Sequence, residues 1–197
     1  MRIASPFLYD TLLLPFELMA IRKWRRCLWS QVRGTRILDA GGGTGLNIPF
    51  YNPGQDVTLL ERERACLQRA RRRARVHAVQ VDMIQGDVKA LEFPEESFDT
   101  TVASFLFCSL DNPEKGLSEL YRVLKPGGAL LLLEHVRSSS GLGRVMDALS
   151  RPLYRLFNEH IARETDKEVL RTGFVNVVTQ PLFLDVVKLI RAEKPPV

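Results

Sequence analysis

The most constraining stretch of this chain is Asp39-Ala40-Gly41-Gly42-Gly43-Thr44-Gly45, which follows the short apolar run Arg36-Ile37-Leu38. Glycines between a strand and a helix let backbone N–H groups approach a ligand with no Cβ in the way. Glu61 ends the next β-type run, Val57–Glu61, 22 residues after Asp39. An acid at that point is placed to accept hydrogen bonds from a ribose diol. The spacing then separates two kinds of nucleotide ligand. A dinucleotide fingerprint needs G-x-G-x-x-G, but counted from Gly41 the last position is Leu46, and counted from Gly43 it is Ile48. The third glycine is missing, which argues against a nicotinamide dehydrogenase.

From Arg36 onward short apolar runs alternate with helical patterns, as in a parallel sheet wound with helices. Strands are expected at Arg36–Ala40, Val57–Glu61, Val79–Ile84 and Phe98–Ser104. The arginine-rich stretch from Arg64 to Arg75 reads as a helix. Asp111-Asn112-Pro113 opens another, which runs to Leu124 and stops at the turn Lys125-Pro126-Gly127-Gly128. Ala129–Leu133 is uninterrupted apolar sequence, expected of a strand buried on both faces. Over residues 142–157, Leu142, Val145, Met146, Leu149, Leu153 and Leu156 form one helical stripe. Thr165 and Glu168 make a capping box for a short helix ended by Gly173. The β-rich runs Phe174–Thr179 and Phe183–Ile190 follow.

Cys27, Cys66 and Cys108 are odd in number and widely spaced, neither a disulfide framework nor a metal-ligand pattern; no metal is expected, and a reducing, cytoplasmic compartment is. No apolar run reaches the roughly 18–20 residues that a membrane-spanning helix needs, and the start lacks the pattern of a secretory signal. The net charge of +5 is concentrated. Residues 1–33 carry Arg2, Arg22, Lys23, Arg25, Arg26 and Arg33 against only Asp10 and Glu17, and a second cluster spans Arg69–Arg75. Basic faces meet nucleic acid or anionic lipid, or stay solvated. With no aromatic residues interleaved to stack bases, the Arg69–Arg75 cluster gives little support to a non-catalytic nucleic-acid-binding protein, and no nucleic-acid partner is expected.

Asp39-x-Gly41-x-Gly43-x-Gly45, Gly86-Asp87-Val88, Phe98-Asp99 and Leu124-Lys125-Pro126-Gly127-Gly128 stand in the order of the landmarks of class I S-adenosylmethionine (SAM)-dependent methyltransferases. The resemblance covers residues 34–136 closely. It implies a Rossmann-like, doubly wound α/β fold: a mostly parallel seven-stranded sheet with helices on both faces over residues 34–197, and an N-terminal helical cap over 1–33. It also implies SAM as methyl donor, S-adenosylhomocysteine as product, and roles for named residues. Asp39, Gly41, Gly43 and Gly45 would hold the methionine part, bordered by Ser104 and with Asn47 beside them. Glu61 would take the ribose hydroxyls with Arg62 beside the adenine, and Asp87 and Val88 would meet the adenine itself. Asp87 also reads as an ordinary loop acid, and Asp99 as a strand-start acid away from the site.

The acceptor is written more faintly, because methyl transfer is an in-line displacement that needs alignment and exclusion of water more than a general base. His135, at the end of the fifth strand, is a candidate base or a hydrogen-bonded strand-end histidine; Tyr154 and His160 are further candidates. Cys108 reads as a small buried residue. If residues after Pro15 are helical, Phe16, Met19, Ala20, Trp24, Cys27 and Leu28 form one stripe, with Arg22, Arg25, Arg26 and Trp29 towards another. Such a helix suits a lipid interface or a lid over the cleft.

Tyr9-Asp10, Gly43–Asn47, Phe107-Cys108-Ser109 and Glu134-His135-Val136 resemble the subset that holds ubiquinone/menaquinone C-methyltransferases, bacterial phosphatidylethanolamine N-methyltransferases and membrane-associated thiol methyltransferases. By that resemblance Tyr9 belongs to a cap closing over SAM. The acceptor would be lipid-like, with the amine of phosphatidylethanolamine preferred over a small hydrophobic thiol or quinone. Arg144, Arg151 or Arg155 would face its phosphate or form a solvated helix face, and the protein would lie on the anionic inner face of the membrane.

Overall fold

The computed structural model describes residues 20–138, 140, 143, 144, 146–148 and 163–196. Tyr9, Tyr154, His160, Arg151 and Arg155 lie outside them. In chain order the elements are α1 (Arg22–Trp29), β1 (Arg36–Ala40), β2 (Asp56–Glu61), α2 (Arg64–Val76), β3 (Asp82–Gln85) and β4 (Phe98–Ser104), then α3 (Pro113–Val123), β5 (Leu124–His135), α4 (Thr165–Arg171), β6 (Val175–Phe183) and β7 (Val187–Glu193). The sheet order is β3-β2-β1-β4-β5-β7-β6. β7 runs antiparallel to both β5 and β6, and the other pairings are parallel. The seven-stranded, mostly parallel, Rossmann-like sheet is as expected.

The apolar run of β5 organises both faces. Side chains alternate across a strand, so Leu130 and Leu132 enter one core with Leu117 and Leu120 of α3 and Val169 of α4. Leu131 and Leu133 enter the opposite core with Leu28, Trp29 and Val32 of the N-terminal segment. A strand that supplies two cores has no polar face, which is why the run shows no alternation. A third cluster seats α2 on β2 through Leu67, Ala70, Ala74 and Leu59.

The helix α1 departs from the expected stripe. Arg25, Leu28 and Trp29 are its buried residues, and Arg22, Lys23 and Arg26 are exposed. Positions 25, 28, 29 and 32 follow the i, i+3, i+4, i+7 rule for a face packed on a core. Arg25 and Trp29 therefore point inward, because the connection from β1 to β2 offers Trp29 the ring of Tyr51, with centroids 4.4 Å apart, and offers Arg25 a polar partner in Asn47.

Other boundaries move for local reasons. The third strand begins at Asp82, not Val79, because only residues 82–85 find partners on β2 and Val79 donates instead to the carbonyl of Ala74. Lys125–Gly128 lies inside β5 as an irregularity opposite Phe98–Thr100. There Asp99 accepts from Thr35 and Arg36 N–H at 2.8 and 2.9 Å and from Lys125 Nζ at 2.6 Å. Burial raises the Asp99 pKa, but these partners outweigh it and bring it down to about 2. Asp99 is a brace at the strand start, as its position suggested. The capping box is absent: Glu164 precedes α4, no side chain caps it, and Thr165 is fully buried with Oγ1 unpartnered among the described residues. β6 runs on through Phe183, so the second β-run begins at Val187. Asn112 caps α3 by accepting from Lys115 N–H, Gly173 ends α4 at φ 103°, and Cys108 is buried. Of the stripe over 142–157, only Met146 is described, and it is buried.

Truncating Leu132, fully buried between β4 and β7, leaves a cavity in the α3–α4 core. The variant Leu132→Ala is expected to lose about 2–5 kcal/mol, read as a lower midpoint in urea unfolding with little change in slope.

Candidate cofactor site

The chain leaves β1 for β2 and β3 on one side, then returns to β4 on the other. The carboxyl ends of β1 and β4 therefore border the switch point where open α/β sheets take ligands. The glycine turn sits there. Gly42 N–H donates to the Leu60 carbonyl at 3.0 Å, and Gly45 N–H to the Gly42 carbonyl at 2.9 Å. Gly43 (φ 57°) has nothing but the Gly41 carbonyl within 4 Å of where a Cβ would stand, so its face is open. At Gly45 (φ 80°) a Cβ would strike Ile48 and Ala70, so this glycine admits α2 against the turn and does not face a ligand.

Beside the turn lies a cavity of about 310 Å³. Of the expected site residues, Gly41, Gly43, Asn47, Glu61, Arg62, Asp87, Val88 and Ser104 line it. Their order along it follows from the sheet: Asp87 and Val88 after β3, Glu61 at the end of β2, the glycines after β1, Ser104 at the end of β4. At about 4.8 Å per strand this is a trough about 14 Å long. That suits an extended nucleoside with an amino-acid tail. The donors and acceptors fit as well. Glu61 accepts from Gly43 N–H at 3.0 Å and Glu63 N–H at 2.8 Å, one per carboxylate oxygen, which leaves a lone pair on each for a diol. Asp87 keeps one oxygen on Lys89 N–H at 2.9 Å and is one-third exposed towards the cavity.

Asp39 stands elsewhere than expected. It is fully buried below the turn and is not on the cavity wall. It accepts from Asn47 Nδ2 at 3.0 and 3.1 Å and from Tyr51 Oη at 2.6 Å. Asn47 in turn accepts from Arg25 Nη1 at 2.8 Å. Burial pushes Asp39 up to about 6, with Tyr51, Asn47 and Arg25 pulling the other way; Tyr51 is raised by burial and by the carboxylate it faces. Asp39 thus holds Asn47 and, through it, Arg25 in the wall.

His135 also falls short of the cavity. Its ring packs on Phe105 with centroids 4.9 Å apart, and Phe105, not His135, is on the wall. Nδ1 is buried without a partner among the described residues, and burial lowers the pKa. The described wall carries no histidine.

Four contributors escaped the sequence reading. Arg25 reaches the wall with its guanidinium 5.7 Å from the Phe105 ring centroid. Tyr51 holds Asp39, and Arg73, from the cluster on α2, donates to the Thr44 carbonyl and steadies the turn. Glu134, fully buried, accepts from Leu106 N–H at 2.8 Å and Phe107 N–H at 3.0 Å. It so fixes the 3₁₀ turn Phe107–Ser109, whose flank Leu106 faces Gly41. Burial raises Glu134 to about 7 against the pull of those N–H groups and Arg163. The signal was there for Glu134, an acid in an otherwise apolar strand; Arg25 and Tyr51 carried none.

Replacing Glu61 by Ala removes two loop anchors and the carboxylate expected to accept from a ribose diol. SAM affinity by calorimetry is expected to fall about 10- to 100-fold. For Glu134, the folded value near 7 lies above the ordinary 4.5. Stability from this group is therefore full below pH 4.5 and is lost as pH rises through 7, about 3 kcal/mol in all. Glu134→Gln should gain stability on the wild type between pH 5 and pH 8 in paired urea melts; parallel curves would refute the assignment.

The family profile described as "Methyltransferase domain" matches residues 38–132. A phosphatidylethanolamine N-methyltransferase of Cereibacter sphaeroides is 37% identical over 122 residues, 60% of this chain and 60% of that one, so the match spans under two thirds of that relative. The ubiquinone/menaquinone biosynthesis C-methyltransferase of Azotobacter vinelandii is 34% identical over 203 residues, 88% of this chain and 80% of that one. Among solved structures, a SAM-dependent methyltransferase of Thermotoga maritima shares the fold with a TM-score of 0.72 at 24% identity, covering 94% of each chain. Identity of this order over most of two chains, on a trough shaped for SAM, establishes descent: the chain belongs to the class I SAM-dependent methyltransferases, in the subset that holds the ubiquinone/menaquinone and phosphatidylethanolamine enzymes.

Proposed function

We propose that this protein methylates the amine of phosphatidylethanolamine and its methylated derivatives, working from the inner face of the membrane. The observation that carries the reading is the join between cavity and α1. Arg25 forms part of the wall, and the exposed cations Arg22, Lys23 and Arg26 stand within one turn of it. A phosphodiester headgroup needs such cations close to the reacting nitrogen. Arg144, exposed beyond β5, adds another. The relative from Cereibacter sphaeroides bears this activity in its name.

When bound, SAM supplies an electrophilic methyl group on a sulfonium. The chain's own residues orient and enclose. Glu61 would hold the ribose diol, Asp87 and Val88 would border the base, and Asn47, Ser104 and Arg25 would border the amino-acid end. The apolar side chains of Leu106 and Phe105 keep water from the junction between the two substrates. The chain's part would be to hold the acceptor nitrogen in line with that methyl group.

A second reading, C-methylation of a quinone, is favoured by the wider coverage of the Azotobacter vinelandii relative, 88% of this chain against 60%. Production of S-adenosylhomocysteine with phosphatidylethanolamine vesicles, against quinone and small-thiol panels, decides between them. Lipid-dependent turnover is expected; turnover on a quinone or thiol alone would transfer the assignment, and inertness towards every lipid would sink the first reading.

A further inference from the structure

We propose that the β6–β7 turn is a membrane-inserting tip that sets the cavity mouth against an anionic lipid bilayer. The proposal rests on the reading of a membrane-borne acceptor and adds the surface that meets it.

Phe183 and Leu184 are adjacent, large and apolar, and are 53% and 68% exposed. The turn they open is closed by Val186 N–H donating to the Phe183 carbonyl at 2.8 Å. Its two central residues, Leu184 (φ 45°) and Asp185 (φ 57°), both lie in the left-handed region. Hairpin turns of that geometry favour asparagine and glycine. A leucine there is disfavoured by the backbone and, at 68% exposure, has little packing in return. Local structure does not explain it. Insertion into an apolar medium does.

The tip is held rigid. Val136 N–H donates to the Val186 carbonyl at 2.8 Å, Ser138 Oγ to Asp185 Oδ2 at 3.1 Å, and Lys188 Nζ lies 3.0 Å from Asp185 Oδ1. The one acid of the turn is thereby matched by Lys188. A braced apolar pair loses little freedom on insertion.

Placement and charge single out a bilayer as the occupant. Val187 pairs with His135 at the carboxyl end of β5, so the turn leaves the same sheet edge as the glycine turn. It stands two strands from β4, about 10 Å along that edge. His135 packs on Phe105 of the cavity wall, and Phe183 lies 6.2 Å, centroid to centroid, from Trp24 of α1. α1, the helix that carries Trp24, also exposes Arg22, Lys23 and Arg26, with Lys23 next to Trp24 in the chain and Arg22 and Arg26 on the helix face turned away from it. An exposed apolar turn in contact with a helix that presents Lys and Arg to solvent matches an anionic lipid surface.

The test uses the full chain and vesicles of equimolar phosphatidylcholine and phosphatidylglycerol, which contain no phosphatidylethanolamine, so that docking is read apart from the acceptor. Leu184→Gly removes the apolar side chain where glycine suits the backbone. It is expected to melt no lower than wild type and to keep its SAM affinity, yet to partition about tenfold less onto the vesicles. Phe183→Ser/Leu184→Gly should partition less again and lose the blue shift of Trp24 emission on vesicle binding; Trp29 is buried and does not report. Val76→Ser, at another exposed apolar position, should bind as wild type. Wild-type partitioning of both turn variants overturns the proposal, as does an equal loss in Val76→Ser. Loss of docking in the turn variants with no methylation of any lipid would retain the tip and discard the acceptor. Lipid methylation with unchanged docking would do the reverse.

Discussion

A carboxylate cut off from water sits at the end of β1, and the site is arranged around satisfying it. Asp39 has no exposed surface, yet it follows directly on the apolar strand that leads into the glycine turn. A buried acid without partners is costly enough to be expelled or neutralised. Here Asn47 gives both oxygens an N–H, Tyr51 gives one an O–H, and Arg25 stands beyond Asn47 as the compensating charge. Those partners come from three stretches of chain. Meeting the needs of one side chain therefore fixes the N-terminal helix, the segment after the glycine turn and the 3₁₀ turn Ile48–Phe50 that leads to Tyr51 relative to one another.

The same economy recurs around the cavity. Glu61 anchors the glycine turn and the start of α2 while keeping acceptor capacity for a ligand. Glu134 anchors the turn after β4 from within the core. Three acids on three parallel strands thus hold the loops that follow β1, β2 and β4. Glu61 and Glu134 do so through backbone N–H groups, and Asp39 through the side chains of Asn47 and Tyr51. The cavity walls are consequently held in place from within the sheet, and α1 adds Arg25 to them.

Much of the sheet was legible in the sequence. β1 and β4 ran over their expected residues, β2 and α2 differed by one residue at an end, and the asparagine cap of α3 was visible as Asn112-Pro113. These elements follow from hydrophobic period and turn chemistry, which are local. The errors fell where neighbours decide. Val79–Val81 has strand-like alternation but no partner strand beyond Asp82, and Thr165 has a capping side chain that the core claimed instead. Sequence period also put Arg25 on the solvent face of α1, because an arginine ordinarily belongs there.

For the site, the sequence by itself pointed to a nucleotide-type ligand, through a glycine turn after a strand and an acid one strand on, and the ordered motifs that resemble the methyltransferases narrowed that ligand to SAM. What only the tertiary structure decided is which of these residues face the trough. Asp39 and Gly45 lie within the motif yet turn to the interior, one to order Asn47 and Arg25, the other to let α2 approach. His135 is separated from the cavity by Phe105, and Arg25, Tyr51, Arg73 and Glu134 enter through contacts that span 12 to 29 residues in sequence. Motif spacing records where the backbone must bend. Side-chain direction and burial depend on what packs against that backbone, and no local pattern carries that information.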